Sequence, residues 1–476
     1  MSLSKRNIVI ISTLFILIGV FLRIYRLNFE SYWLDEMISY WVADPNISFN
    51  DTLIRKDLME KSPILFDLIL KQYLKFLNYE PEVGRHIPLF FGILSIPFLG
   101  ILSRQISNGN SFLLTIFLTS INVYLISYSQ EVRPYSLVFF LSIIGIIFYN
   151  KIIFEHLTFL KKIVFFNLFI ISSVLLLSSH PFTFIILFAQ IINSIYFLFF
   201  FKKKNYLFFL SIPFIFLIYL IFNYNYIIEQ LSSSKFFLAH ESWKFYYNYY
   251  FSRFFGSKIM GLIYLVILIY LIATFRKKIF FTYNKYLLLI FILIFSYIIP
   301  LTYSYLKTPI LTDRYIIFVL IPILILISSL IHEIPNKKLK NFIFIFILVP
   351  TIINNFMEIK DRKVSKPEFK KLFNDLKKNE VKNLAINVNL NSDKKGSEEL
   401  RILVENYIKT LKEFKNTDFK IFSLYNVTKN QKKIWVLCYE PIVGFNCTLP
   451  SNRINTWILI ENKQNYFLNS KLYEIK

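Results

Sequence analysis

Residues 313–340 read DRYIIFVLIPILILISSLIHEIPNKKLK, and this stretch decides the fold. Asp313 and Arg314 stand at one end, Lys337, Lys338 and Lys340 at the other, and nothing from Tyr315 to Ile331 is charged. An apolar run of that length suffices to cross the ~30 Å of hydrocarbon in a bilayer. The same pattern recurs along the chain. Spans are expected at about 7–25, 86–105, 111–128, 133–151, 163–179, 181–201, 205–223, 258–275, 283–301, 313–332 and 340–356. The composition agrees, since 476 residues that are 55% hydrophobic and 19% aromatic hold more apolar material than a soluble core needs. The expected fold class is a polytopic α-helical membrane protein of about eleven spans.

Charge gives the orientation. Alternate loops hold Lys5–Arg6, Arg104, Lys151 with Lys161 and Lys162, Lys202–Lys204, Arg276–Lys278, and Lys337, Lys338 and Lys340. All are short and basic, and by the positive-inside rule they are cytoplasmic. The formal charge of +24 is therefore a topology signal, and nucleic acid is excluded as its partner. The N-terminus is expected inside as an uncleaved first helix, because no small-residue cleavage site follows Lys5 and Arg6. An odd number of spans puts the C-terminus outside. The Ile, Phe, Asn and Lys bias fits an AT-rich bacterial genome, and hence a bacterial inner membrane.

The domains expected are 1–356 within the membrane and 357–476 outside it. The first outer loop, 26–85, is not plain linker. Ser31–Ala43 and Pro63–Leu77 have apolar residues at helical spacing and read as interfacial amphipathic helices. Tyr and Trp there and in Trp243–Phe251 suit the same depth. Beyond Met357 there are 23 Lys and Arg against 14 Asp and Glu, so the tail is soluble and basic. Pro367–Lys378 and Glu398–Phe414 read as helices, Leu384–Leu390 and Ile434–Tyr439 as strands, giving a small α/β domain. Cys438 and Cys447 either close a short disulfide loop or are unrelated thiols.

The residues able to carry chemistry collect on the outer side. Asp35-Glu36 directly after the first span is a candidate base or metal ligand, or else Asp35 is the N-cap of an interfacial helix. Glu60-Lys61-Ser62-Pro63 precedes the second interfacial helix and reads equally as a solvated loop. Glu131 and Arg133, with Tyr135, form a charged turn beside hydrocarbon, costly unless solvated or partnered. His180-Pro181 sits between two spans. Asp313, Arg314 and Tyr315 open the tenth, and the fork of donors on Arg matches phosphate oxygens. A divalent metal beside Asp35, Glu36 and Glu131 is left open, for no ligand spacing specifies one.

With these residues in order, the chain resembles the GT-C membrane glycosyltransferases. The nearest branch is that of the bacterial dolichyl-phosphate-mannose protein mannosyltransferase-like enzymes, which includes the aminoarabinose transferase of lipid A. Asp35-Glu36, Glu60-Lys61-Ser62-Pro63 followed by Gly84-Arg85, the turn from Ser129 to Tyr135, and Arg314-Tyr315 with Pro322 carry the resemblance over roughly residues 5–330. Two departures separate it from the aminoarabinose branch: Ser62 between Lys61 and Pro63, and Pro134-Tyr135 where that branch has an acidic residue. The resemblance implies a polyprenyl-phosphate sugar donor and inversion at the anomeric carbon. It implies Asp35 as base or acceptor-orienting group, and Lys61, Arg133 and Arg314 as holders of the donor phosphate. A polyprenyl phosphate departs as a stabilised anion, so cations suffice in place of a general acid. The acceptor, an envelope glycan, lipid or protein, needs a base on the opposite face of the sugar. A lipid-linked oligosaccharide polymerase or ligase would use the same parts. A transporter would concentrate polar groups at mid-membrane instead.

Overall fold

The computed structural model describes residues 4–476 apart from 108, 202–205, 223, 225–227, 229–250, 280–283, 308–309, 311, 361–363, 379–381, 389–393, 416, 428–431, 440–455 and 466–467. Lys202–Lys204, Cys447 and nearly all of Trp243–Phe251 lie outside the described residues. The chain divides into two compact units. One comprises Met1–Tyr25, Ser62–Phe66 and Pro88–Arg362, the other Arg26–Lys61, Asp67–Ile87 and Lys363–Lys476.

The first unit is a bundle of apolar helices. In chain order these are α1 (Lys5–Ile24), α6 (His86–Ile106), α7 (Ser111–Ile121), α8 (Val123–Tyr128), α9 (Tyr135–Phe154), α10 (Phe159–Leu177), α11 (Phe184–Phe201), α12 (Tyr206–Phe222), α13 (Lys258–Lys277), α14 (Leu287–Leu306), α15 (Leu320–His332) and α16 (Lys337–Lys360). Among the described residues every expected span is occupied by helix. Among the described residues nine helices are long and apolar enough to cross a membrane, and two shorter apolar ones stand at Ser111–Ile121 and Ser211–Ile221. The chain is a multi-pass membrane protein.

Burial sorts the helices. All of Leu320–Ile331 in α15 is buried, as expected of a helix apolar on every side, so it forms the centre. In α1 only Gly19 and Arg23 are buried, so one stripe packs inward and the rest faces lipid. That stripe sets Ile8, Ile11, Phe15 and Ile16 against Ile96, Phe112, Leu113 and Ile116. Gly19 permits the approach, because a Cβ there would fall 2.5 Å from Ile96 Cδ1.

The sequence reads 111–128 as one span, but the structure breaks it at Asn122. The Asn122 side chain accepts from Leu125 N–H at 2.9 Å and donates to the Phe254 carbonyl at 3.0 Å. A short amide side chain that competes for backbone groups is a strong N-cap, and here it starts α8 afresh.

The second unit joins the first outer loop to the C-terminal region. Its loop part holds α2 (Leu34–Val42), α3 (Phe49–Met59), most of α4 (Leu65–Phe76) and α5 (Pro81–Gly84). The two amphipathic segments expected from sequence are α2 and α4. The third helix, α3, was not anticipated: its apolar residues Phe49, Leu53, Ile54 and Leu58 are exposed and its pattern is mixed. The C-terminal part has α17 (Phe369–Lys378), α18 (Lys394–Thr410) and five strands, β1 (Asn383–Val388), β2 (Lys420–Ser423), β3 (Lys433–Tyr439), β4 (Trp457–Asn465) and β5 (Leu468–Ile475). Strand order is β2-β1-β3-β5-β4, with β1 parallel to both neighbours and β5 antiparallel to both of its own. In α17, Phe369, Leu372, Phe373 and Leu376 are buried, the i, i+3, i+4, i+7 spacing of one helix face. Cys438 is disulfide-bonded.

Tyrosines bind the two parts of this unit. Tyr32 of the loop part stacks on Tyr407 of the C-terminal part with ring centroids 5.4 Å apart, and within the loop part Tyr40 stacks on Tyr79 at 4.4 Å. Asn406 donates to the Tyr79 hydroxyl at 2.8 Å. Burial holds the Tyr32, Tyr79 and Tyr407 hydroxyls well above the ordinary phenol range, so they act as neutral partners.

Candidate active site

The acidic pair opens α2 in the second unit. Trp33 is the N-cap, so Asp35 is not a capping residue as one sequence reading has it; it lies in the first turn with Glu36. An acidic first turn suits the unpaired N–H groups and dipole of a helix start. Asp35 is half-buried, and Glu36 is fully buried.

Glu36 is an ion-pair hub. Its Oε1 lies 3.3 Å from Arg85 Nη2, and its Oε2 accepts from Lys366 Nζ at 3.0 Å and from Trp33 N–H at 3.4 Å. Arg85 is itself 2% exposed, donates to the Leu27 carbonyl at 2.9 Å, and stands 5.1 Å above the Tyr32 ring. One buried carboxylate thus faces two cations, one from α5's C-terminal flank and one from the C-terminal region. Nearby, Ser365 donates through N–H and hydroxyl to Glu30 at 2.7 and 2.8 Å. Neighbouring residues of one segment, Ser365 and Lys366, therefore grip the loop on both sides of Trp33.

Glu60 and Lys61 follow α3. Glu60 is its C-cap and lies 3.7 Å from Lys56, whose main partner is buried Asp67 at 2.7 Å. Lys61 is exposed.

The remaining candidates belong to the first unit, and several of them meet there. The turn from Ser129 to Pro134 is built from α1 outward. Arg23, 1% exposed, donates to the carbonyls of Thr119 at 3.0 Å and Ser120 at 2.9 Å. These carbonyls lie in the last turn of α7, where the break at Asn122 removes their intrahelical donors. Gln130 then donates to the carbonyls of Arg23 and Tyr25 at 2.8 and 2.9 Å. A charged residue inside an apolar run is the sequence signal that could have found Arg23. The turn so pinned presents buried Glu131, Arg133 and Tyr135.

Around Tyr135 the distant segments converge. Its ring centroid is 5.9 Å from that of His180, and His180 is 5.0 Å from Tyr315. The Arg314 guanidinium carbon stands 5.8 Å from both the Tyr135 and the Tyr315 ring. Tyr128 lies 5.1 Å from Tyr135, ring centroid to ring centroid. The segment bearing Asp313 to Tyr315 starts a 3-10 helix, Asp313–Val319, with non-helical dihedrals at Ile316, and only then becomes α15. The tighter winding re-aims these residues relative to the helix below. A guanidinium over an aromatic face gains roughly 0.5–2 kcal/mol.

Sequence reasoning thus named Glu131, Arg133, Tyr135, His180, Asp313, Arg314 and Tyr315, and the fold collects them in one unit. It missed Arg23, the pairing of Arg85 with Glu36, and Lys366. Among the described residues no group of three or more His, Cys, Asp or Glu is arranged to hold a metal ion.

No protein-family profile and no curated protein matches the chain. Solved structures do. ArnT from Cupriavidus metallidurans in the apo state superposes with a TM-score of 0.59 at 9% identity, covering 97% of each chain. The same protein bound to undecaprenyl phosphate gives 0.55 at 9% identity, again over 97% of both. The oligosaccharyltransferase of Archaeoglobus fulgidus in the apo form gives 0.57 at 11% identity, covering 90% of this chain and 66% of its own. The fold is the GT-C fold of these membrane proteins, and the chain spans about two thirds of the archaeal enzyme.

Proposed function

We propose that this chain is a GT-C glycosyltransferase that moves a sugar, with inversion, from a polyprenyl-phosphate donor to an extracytoplasmic acceptor. The single observation that carries the reading is the meeting of Arg314, Tyr135, His180 and Tyr315 from three separate helix ends, with Arg133 two positions from Tyr135 in the chain. In the reading, Arg133 and Arg314 bind the donor phosphate and the charge that develops on it, and Lys61 adds to the field. His180 and the tyrosines orient the guanidinium groups. Asp35 takes the proton of the acceptor, while Glu36, held by Arg85 and Lys366, fixes the helix that carries Asp35. Residues 1–356 form the transferase domain, and 357–476 an outer domain that contributes Lys366.

A lipid phosphate as the carrier that bears the sugar and departs from it is supported by the likeness to a protein solved with undecaprenyl phosphate. A single transferred sugar is preferred over an oligosaccharide because the likeness spans 97% of ArnT but only 66% of the archaeal oligosaccharyltransferase. The outer placement of the C-terminal region rests on the basic alternate loops and on the disulfide at Cys438, a bond that persists in oxidising compartments. The same loop charges support a cytoplasmic N-terminus, and the Ile, Phe, Asn and Lys bias supports a bacterial inner membrane. The test is incubation of the purified chain with radiolabelled polyprenyl-phosphate sugars. Consumption of a donor by wild type and its loss in Asp35→Asn supports the reading; consumption of none of the donors by wild type, or normal turnover by the variant, rejects it.

A further inference from the structure

We propose a second lipid site, distinct from the candidate active site: a groove that holds one anionic phospholipid at the basic face of the bundle. The groove has a volume of about 450 Å³, within the usual range of small-molecule sites, and is formed by α1, α7, α15 and α16. Its walls are apolar, with Phe15, Leu113, Phe117, Phe344, Leu348 and Ile352 among them. Its polar groups gather at one end. Asn110 and Ser111 begin α7, His332 ends α15, and Lys340 lies in the first turn of α16. An apolar trough closed by a polar mouth matches an amphiphile lying along the bundle.

The sign of the head group follows from the mouth. The Lys340 ammonium donates to the His332 carbonyl at 2.8 Å and stands 3.3 Å from His332 Nδ1. An ammonium has three N–H donors, so these contacts fix it in place and leave one for a phosphate oxygen. Lys337 and Lys338, both exposed, add positive charge at the same helix end. His332 is seated by Gly109, at φ +84°, where a Cβ would come within 2.7 Å of the imidazole Nε2. Among the described residues no carboxylate lines the groove. Basic pockets between membrane helices bind anionic head groups in this manner.

The site requires only that the chain spans a bilayer, so it stands or falls apart from the transferase reading. The test is native mass spectrometry of the full, delipidated chain with phosphatidylglycerol or phosphatidylcholine of identical acyl chains. Wild type is expected to retain one phosphatidylglycerol with about fivefold preference over phosphatidylcholine. Lys340→Gln should lose the preference and Lys340→Arg keep it. Ile352→Trp, which narrows the apolar wall at a partly exposed position, should weaken both lipids. Equal retention of the two lipids by wild type, or an unchanged preference in Lys340→Gln, overturns the site. Displacement of phosphatidylglycerol by a polyprenyl phosphate at equal concentration, abolished in Lys340→Gln, would make it a donor site and overturn the assignment to a glycerophospholipid.

Discussion

Replacing Glu36 by Gln removes one charge from a fully buried carboxylate that faces Arg85 at 3.3 Å and Lys366 at 3.0 Å. Breaking a buried ion pair from one side typically costs about 3–5 kcal/mol, because the partner charge stays buried without compensation. Arg85 is 2% exposed and suffers that fate, whereas the Lys366 side chain is 14% exposed and partly recovers hydration. Glu36→Gln should therefore lie within that range. Lys366→Met leaves the Glu36–Arg85 pair intact and should cost only about 1.5–3 kcal/mol, the worth of a charged hydrogen bond. The double variant should cost less than the two losses added, since the lysine is no longer left facing a neutral amide. The assay is thermal unfolding followed by intrinsic fluorescence, for Trp33, Trp41, Trp435 and Trp457 all belong to this unit and the chain has 5 Trp in all. For a unit of this size each kcal/mol moves Tm by about 2–4 °C, so Glu36→Gln should fall on the order of 10 °C. A fall under about 2 °C, or strict additivity with Lys366→Met, would refute the hub.

Other substitutions separate chemistry from folding. Asp35→Asn should abolish transfer to background while Tm stays within about 2 °C of wild type, read by donor consumption beside the fluorescence melt. Arg314→Lys keeps charge but loses the planar fork over Tyr135 and Tyr315, and should lower kcat/KM roughly 10- to 100-fold, with Arg314→Ala lower still. Arg23→Met leaves the Thr119 and Ser120 carbonyls without their donor and should cost about 2–4 kcal/mol in a detergent-stability assay. Cys438→Ser should cost about 2–4 kcal/mol in the fluorescence melt, and reductant should reproduce it in wild type.

The span pattern was legible because a bilayer imposes one rule, an apolar run of fixed length between polar ends, and α15 and α16 obey it plainly. Its failure at Asn122 is equally physical: a single capping amide inside an apolar run outweighs the average hydropathy around it. Residues such as Arg133, Arg314 and His180 could be named because a polar group at a membrane boundary is costly without a purpose. The partner of Glu36 could not be named. Arg85 is 49 and Lys366 is 330 positions away, and no local period encodes such pairings. The strands β2, β4 and β5 were missed for a related reason, since exposed Ile458, Leu459 and Ile460 spoil the alternation expected in β4.

The most direct test of the account is accessibility of two engineered thiols in intact cells to a membrane-impermeant maleimide. Asp35→Cys and Arg314→Cys should both be labelled from outside, while a cysteine at Lys338 is labelled only after permeabilisation. Labelling of position 35 and position 314 from opposite sides of the membrane would contradict a transferase that holds its lipid phosphate and its base at one face.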